Sequence, residues 1–104
     1  MANFLLTYHG GHMPESPEEG AKVTAAWTSW FTELGGALVD GGNPVSSVKT
    51  IHANGSVTDG SSHPASGYSV IKADTLDHAV KLAKGCPVLA GGASLEVSET
   101  FNAM

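Results

Sequence analysis

The stretch "SPEEGAKVTAAWTSWFTELGG", residues 16–36, constrains the fold more than any other. Ser16 is an N-cap residue, Pro17 occupies the first helical position, and Glu19 completes a capping box. Two glutamates in the first turn, Glu18 and Glu19, suit the positive end of a helix. Val23, Trp27, Trp30, Phe31 and Leu34 recur at helical spacing and form one apolar stripe. Gly35 is placed to end the helix in a left-handed conformation. An amphipathic helix of this length must bury its stripe against another layer. The segments around it therefore have to supply a sheet.

They read that way. "NFLLTYH" is a short apolar and aromatic run ending at Gly10-Gly11, with Phe4, Leu6 and Tyr8 on one face and Leu5, Thr7 and His9 on the other. "ALVD" is a second strand closed by the "GGNP" turn. "SVKTIHANGSVTDG" alternates around Asn54-Gly55, the strongest short hairpin signal. "HPASGYSVIKA" is another strand. "DTLDHAVKLAKGCP" is a second helix, capped by Asp74 or Thr75, with Leu76, Ala79, Val80 and Ala83 as its buried stripe and Gly85 followed by Pro87 ending it. "ASLEVSETF" is a last strand. The order β-α-β, hairpin, β-α-β predicts an α+β fold, a ferredoxin-like split βαβ with an inserted β-hairpin, in a single domain over residues 1–104. Two helices cover one face of such a sheet. The other face, which also carries apolar residues, predicts a symmetric homodimer.

Composition narrows the partners. The formal net charge is −5, with only 5 Lys and Arg, which argues against nucleic acid and against an anionic membrane surface. Cys86 is the single cysteine, so neither an intrachain disulfide nor a zinc cluster of cysteines can form, and a reducing compartment is expected. "MANFLLTYHGGH" has no basic segment and only a brief apolar run. It reads as neither signal peptide nor membrane span, so the expected location is the cytoplasm. No Gly-rich phosphate loop precedes a helix. No cofactor and no metal site is expected.

Several segments resemble a known family. "SPEEGAKVTAAWTSWFTELGGALVDGGNP", "GSVTDG" and "GYSVIKADTLDHAVKLAKGCP" are similar to YCII-related domain proteins, particularly their DGPF-type branch. The similarity runs in order over nearly the whole chain, and "GALVDGGNP", "ADTLDHAVKLAKGCP" and the closing "SLEV" are its most specific pieces. It implies a ferredoxin-like subunit paired into a dimeric α/β barrel. Enzyme-like relatives carry a His/Asp pair in a pocket near the dimer interface. Here the branch hallmark stands as Asp59-Gly60-Ser61-Ser62. The first helix, which holds a histidine in those relatives, has Trp27 and Trp30 instead.

The candidate site follows from strand ends. His9 closes the first strand, and a neutral imidazole can take up and return a proton near neutral pH when a carboxylate orients it. Asp40 ends the second strand and is the expected orienting group. His63, Tyr68 and Asn43 are the expected ligand contacts. The competing structural readings are that Asp40 and Asn43 cap their turn, that His63 is a solvated loop residue, and that Trp27, Trp30 and Phe31 are core. His9 and His12, with Gly10-Gly11 between them, have ligand-like spacing without a third ligand in view, and read as loop histidines. The expected function is a homodimer with a small-molecule pocket near its interface, supporting proton-transfer or lyase-type chemistry. The alternative is a non-catalytic dimeric binding or regulatory module.

Overall fold

A computed structural model describes residues 1–11 and 14–103. Among the described residues the chain forms six strands and two α-helices. In chain order they are β1 (Ala2–His9), α1 (Pro17–Leu34), β2 (Leu38–Asp40), β3 (Lys49–Ile51), β4 (Val57–Asp59), β5 (Gly67–Ala73), α2 (Leu76–Ala83) and β6 (Ser94–Glu99). Short 3₁₀ turns at Gly35–Ala37 and Pro87–Leu89 follow the two helices.

Four strands form one antiparallel sheet in the order β2-β5-β1-β6, and β3 and β4 form a separate two-stranded sheet. β1 and β2 flank β5 and run parallel to each other, with α1 connecting them. β5 and β6 flank β1 in the same way, connected by α2. The described residues form no closed barrel.

Both N-caps form, while Glu19 Oε2 accepts from Glu15 N at 3.2 Å, one residue before the N-cap, and Gly35 ends α1 at φ +52° and ψ −120°, outside the left-handed helical region expected of it. Ser16 Oγ accepts from Glu19 N at 3.1 Å, and Thr75 Oγ1 accepts from His78 N at 3.1 Å, so Thr75 and not Asp74 caps α2. The β1 alternation also holds. Phe4, Leu6 and Tyr8 are buried against the helices with Ile71 and Ala73 of β5, Trp30 and Leu34 of α1, and Ala79 and Ala83 of α2. The stripes are narrower than the spacing predicts. Val23, Leu76 and Val80 are exposed, because only the C-terminal half of α1 and the alanine face of α2 reach the core. Trp30 Nε1 donates to Leu82 O at 3.2 Å, which ties the two helices together and satisfies a buried indole.

One buried polar chain crosses this core. Tyr8 Oη donates to Ser69 Oγ at 2.7 Å, and Ser69 Oγ donates to Gly41 O at 2.7 Å. It fastens the turn after β2 to the centre of the sheet. The same turn is held by Asp40, whose Oδ1 accepts from Gly42 N at 2.8 Å, and by Asn43, whose carbonyl accepts from Tyr68 N at 3.3 Å.

The molecule is flat. Its radius of gyration is 15.2 Å and its extents are 44 × 40 × 18 Å, against roughly 13 Å for a compact domain of this length. The β3–β4 hairpin projects as an arm whose strands pack mainly on each other, with Ile51 and Val57 exposed. Gly55, with φ +89°, makes its turn.

Candidate functional site

The sheet has two unlike faces. Beneath it lies the core. On the open face stand Leu5, Thr7 and His9 of β1, Tyr68 and Val70 of β5, and Glu96 and Ser98 of β6. The strand register places these side chains: Thr7 is opposite Tyr68 on one side and Glu96 on the other, and His9 is opposite Ser94. Glu96 is therefore the diagonal neighbour of His9, within reach of a long side chain.

The side chain of His9 is 10% exposed. Its Nδ1 lies 3.0 Å from the carbonyl oxygen of Pro64. A carbonyl only accepts, so Nδ1 carries the hydrogen and donates it. In the neutral ring this leaves a lone pair on Nε2. Glu96 Oε1 lies 2.7 Å from that Nε2. It is not in line for a hydrogen bond, and Nε2 is a buried nitrogen without a hydrogen-bonding partner among the described residues.

His63 completes the group. Its ring stacks on that of His9, with centroids 3.8 Å apart and planes 16° from parallel, and its Nε2 is 3.7 Å from Glu96 Oε1. The β4–β5 loop positions both His63 and Pro64, and Ser61 Oγ braces it by accepting from His63 N at 3.2 Å. One loop therefore sets the tautomer of His9 and stacks a second imidazole on it.

The structure brings together His9 and His63 from the expected set, and it does not bring Asp40 to His9. Asp40 pairs with Val70, which pairs with Leu5. His9 is four residues further along β1 and two strands across, on the order of 16 Å away. The strand next to β2 is β5, and the Asp40 carboxylate holds its own turn. Asn43 contributes its carbonyl to Tyr68 and is exposed. Tyr68 stands half-buried on the open face, one strand from Thr7 and two from Glu96. His12 lies outside the described residues. His52, bonded through Nε2 to Thr58 Oγ1 at 3.0 Å, and His78 on α2 are exposed and distant in the fold.

A further cleft lies elsewhere. An open cavity of about 930 Å³ runs beside α1, lined by Val23, Trp27, Trp30, Cys86 and Val88. Volume alone would favour it. The convergent acid–base groups, however, lie at His9 on the other face of the sheet, and chemistry follows those groups. Below the sheet, burial pushes both the Tyr8 phenol and the Cys86 thiol above their ordinary values, so both stay neutral at pH 7. Cys86 is buried and is not a nucleophile presented to solvent.

No family model matches the chain, and a search of curated proteins finds no match to it. No helix among the described residues is long and apolar enough to cross a membrane.

Proposed function

We propose that this chain is a ferredoxin-like, YCII-related subunit that pairs through its open sheet face and carries a small-molecule site where His9 transfers protons. The strand order and the quoted motifs support the fold and family reading. The flat shape, the apolar side chains Leu5 and Val70 on the uncovered face, and the exposed hairpin residues Ile51 and Val57 support the homodimer. The expected cytoplasmic location belongs to the same reading.

One observation carries the chemistry. Nδ1 of His9 is committed to Pro64, and the buried Nε2, which bears a lone pair when the ring is neutral, has no hydrogen-bond partner among the described residues and lies 2.7 Å from the Glu96 carboxylate. Such an atom takes a proton from a substrate, and Glu96 stabilises the imidazolium that forms. Glu96 thus fills the role expected of Asp40. Tyr68 and His63 border the space a ligand would enter.

The test needs no known substrate. The protein is incubated in heavy water with a panel of small carbonyl compounds bearing acidic α-hydrogens, and deuterium incorporation is read by NMR. The reading expects incorporation into at least one compound, lost in His9→Ala and reduced in Glu96→Gln. Incorporation unchanged by His9→Ala would refute it.

A second reading has its own observation. Nε2 is itself a buried atom, with Glu96 Oε1 2.7 Å away, so the nitrogen that would take a substrate's proton is closed to solvent. A binding or regulatory module that pairs without turnover needs no access there. It predicts no His9-dependent exchange anywhere in the panel.

A further inference from the structure

We propose that His9, His63 and Glu96 form a site for one divalent transition ion of the zinc class on the open face of the subunit. One nitrogen or oxygen from each of the three lies within 4.8 Å of the others. The inference rests on the same side chains as the proton-transfer reading but needs no turnover.

The first argument is the tautomer. An imidazole that binds a metal through one nitrogen almost always donates its other N–H to a carbonyl, carboxylate or water, which fixes the ring and raises its basicity. His9 is arranged this way, with Nδ1–H on the Pro64 carbonyl at 3.0 Å and Nε2 within 4.8 Å of the other two donor atoms.

The second argument is the orphaned nitrogen. With Nδ1 protonated, neutral His9 presents a lone pair to a carboxylate oxygen 2.7 Å away, so two acceptors meet. A shared proton would relieve this along the ring nitrogen's hydrogen-bonding direction. Glu96 Oε1 lies off that direction, and the buried Nε2 has no hydrogen-bond partner among the described residues. A cation relieves it differently. It binds each donor along that donor's own lone pair, and the donors need not point at one another.

The third argument is adjustability. Ligand atoms around a tetrahedral zinc are about 3.3 Å apart, given metal–ligand distances near 2.0–2.1 Å. The His9–Glu96 contact must open slightly. His63 must tilt out of its stack, because two parallel rings 3.8 Å apart cannot both hold one ion in their planes. Both moves are available: the side chains of His63 and Glu96 are 64% and 59% exposed, whereas His9 is held. Two imidazoles and one carboxylate, without thiolate, suit zinc, cobalt, nickel or copper better than magnesium or calcium. Three protein ligands leave a position for water or a small ligand. Spacing along the chain hides the set, because its members come from β1, the β4–β5 loop and β6.

A metal on Nε2 occupies the lone pair that proton transfer uses, so the two roles compete for one atom. Chelator-treated protein is titrated with Co(II), followed by its visible absorption, and with Zn(II), followed by calorimetry. The expected result is one ion per subunit, with affinity reduced at least about tenfold in Glu96→Gln and His63→Ala, and unchanged in His52→Ala and His78→Ala. His9→Ala removes a well-buried ring and can disturb folding; the two exposed-ligand variants keep the test decisive. Absence of binding at micromolar metal would overturn the inference. So would binding that survives Glu96→Gln and His63→Ala, or that depends on His12, His52 or His78 alone. Metal binding without His9-dependent deuterium exchange sustains this inference and sinks the proton-transfer reading. Exchange without metal binding does the reverse.

Discussion

Among the glycines, Gly42 is the one at which an added Cβ meets the closest obstacle. It sits in the turn after β2 with φ +73°. A Cβ there would overlap the carbonyl oxygen of Tyr68 and stand 2.6 Å from its carbonyl carbon, where ordinary contacts begin at 3.4 Å. Both obstacles are main-chain atoms of the central strand β5, so no rotamer change relieves them. Alanine in this left-handed conformation costs about 1–2 kcal/mol by itself. Relief of the overlap requires the turn to move off β5. That breaks the Tyr68 N–H bond to Asn43 O at 3.3 Å and the Ser69 Oγ bond to Gly41 O at 2.7 Å, each about 1 kcal/mol. Gly42→Ala is therefore expected to destabilise the protein by about 3–4 kcal/mol, a fall of about 2 M in the urea midpoint at a slope typical of small domains. Gly36→Ala is the control: its Cβ would meet nothing within 4 Å, and its φ is not positive. It should shift stability by less than about 0.5 kcal/mol. Equal midpoints for the two variants would refute the reasoning.

Two further outcomes follow from the buried polar chain and the core. Ser69→Ala should cost roughly 1–3 kcal/mol by urea unfolding, because it strands the Tyr8 hydroxyl and the Gly41 carbonyl together; a change below 0.5 kcal/mol, on the order of surface substitutions, would contradict this. Combined with Gly42→Ala, it should cost less than the separate effects added, since both loosen one turn. Stability should also fall in alkali. Burial raises the Cys86 thiol and the Tyr8 phenol in the folded state, so above their ordinary values the unfolded chain releases protons that the native state holds. The stabilisation is full below the ordinary thiol value and declines as pH rises, from about pH 8.5 for Cys86 and about pH 10 for Tyr8. A pH series of urea midpoints reads it, and Cys86→Ala should flatten the earlier part; a flat wild-type profile to pH 10.5 would be the contrary result.

The sequence exposes local order far better than it exposes the site. Ser16, Pro17 and Glu19 announce the start of α1, and the alternation of Phe4, Leu6 and Tyr8 identifies the core face of β1, because capping and burial act between near neighbours. The apolar stripes mislead at Val23, Leu76 and Val80, since periodicity cannot say how far along a helix the sheet extends. The "DGGNP" turn allows two readings in the sequence, a cap or part of a site, and its hydrogen bonds are those of a cap: Asp40 accepts from Gly42 N, Gly42 clears Tyr68, and Asn43 pairs with β5 through its backbone. Glu96 was legible only in part. Its place between Leu95 and Val97 puts it on the open face, but its meeting with His9 depends on the β1–β6 register, which no local pattern encodes. The same holds for Pro64, whose carbonyl sets the His9 tautomer from a loop remote in sequence.

The most direct test of the account is the protonation pattern of His9, read from long-range nitrogen–proton correlations in protein labelled with ¹⁵N-histidine. The account predicts that neutral His9 is the Nδ1–H tautomer, tied to Pro64, with Nε2 bare and responsive to Glu96→Gln, while His52 and His78 are indifferent to that change. A neutral His9 carrying its proton on Nε2, or one that does not respond to Glu96→Gln, would contradict it.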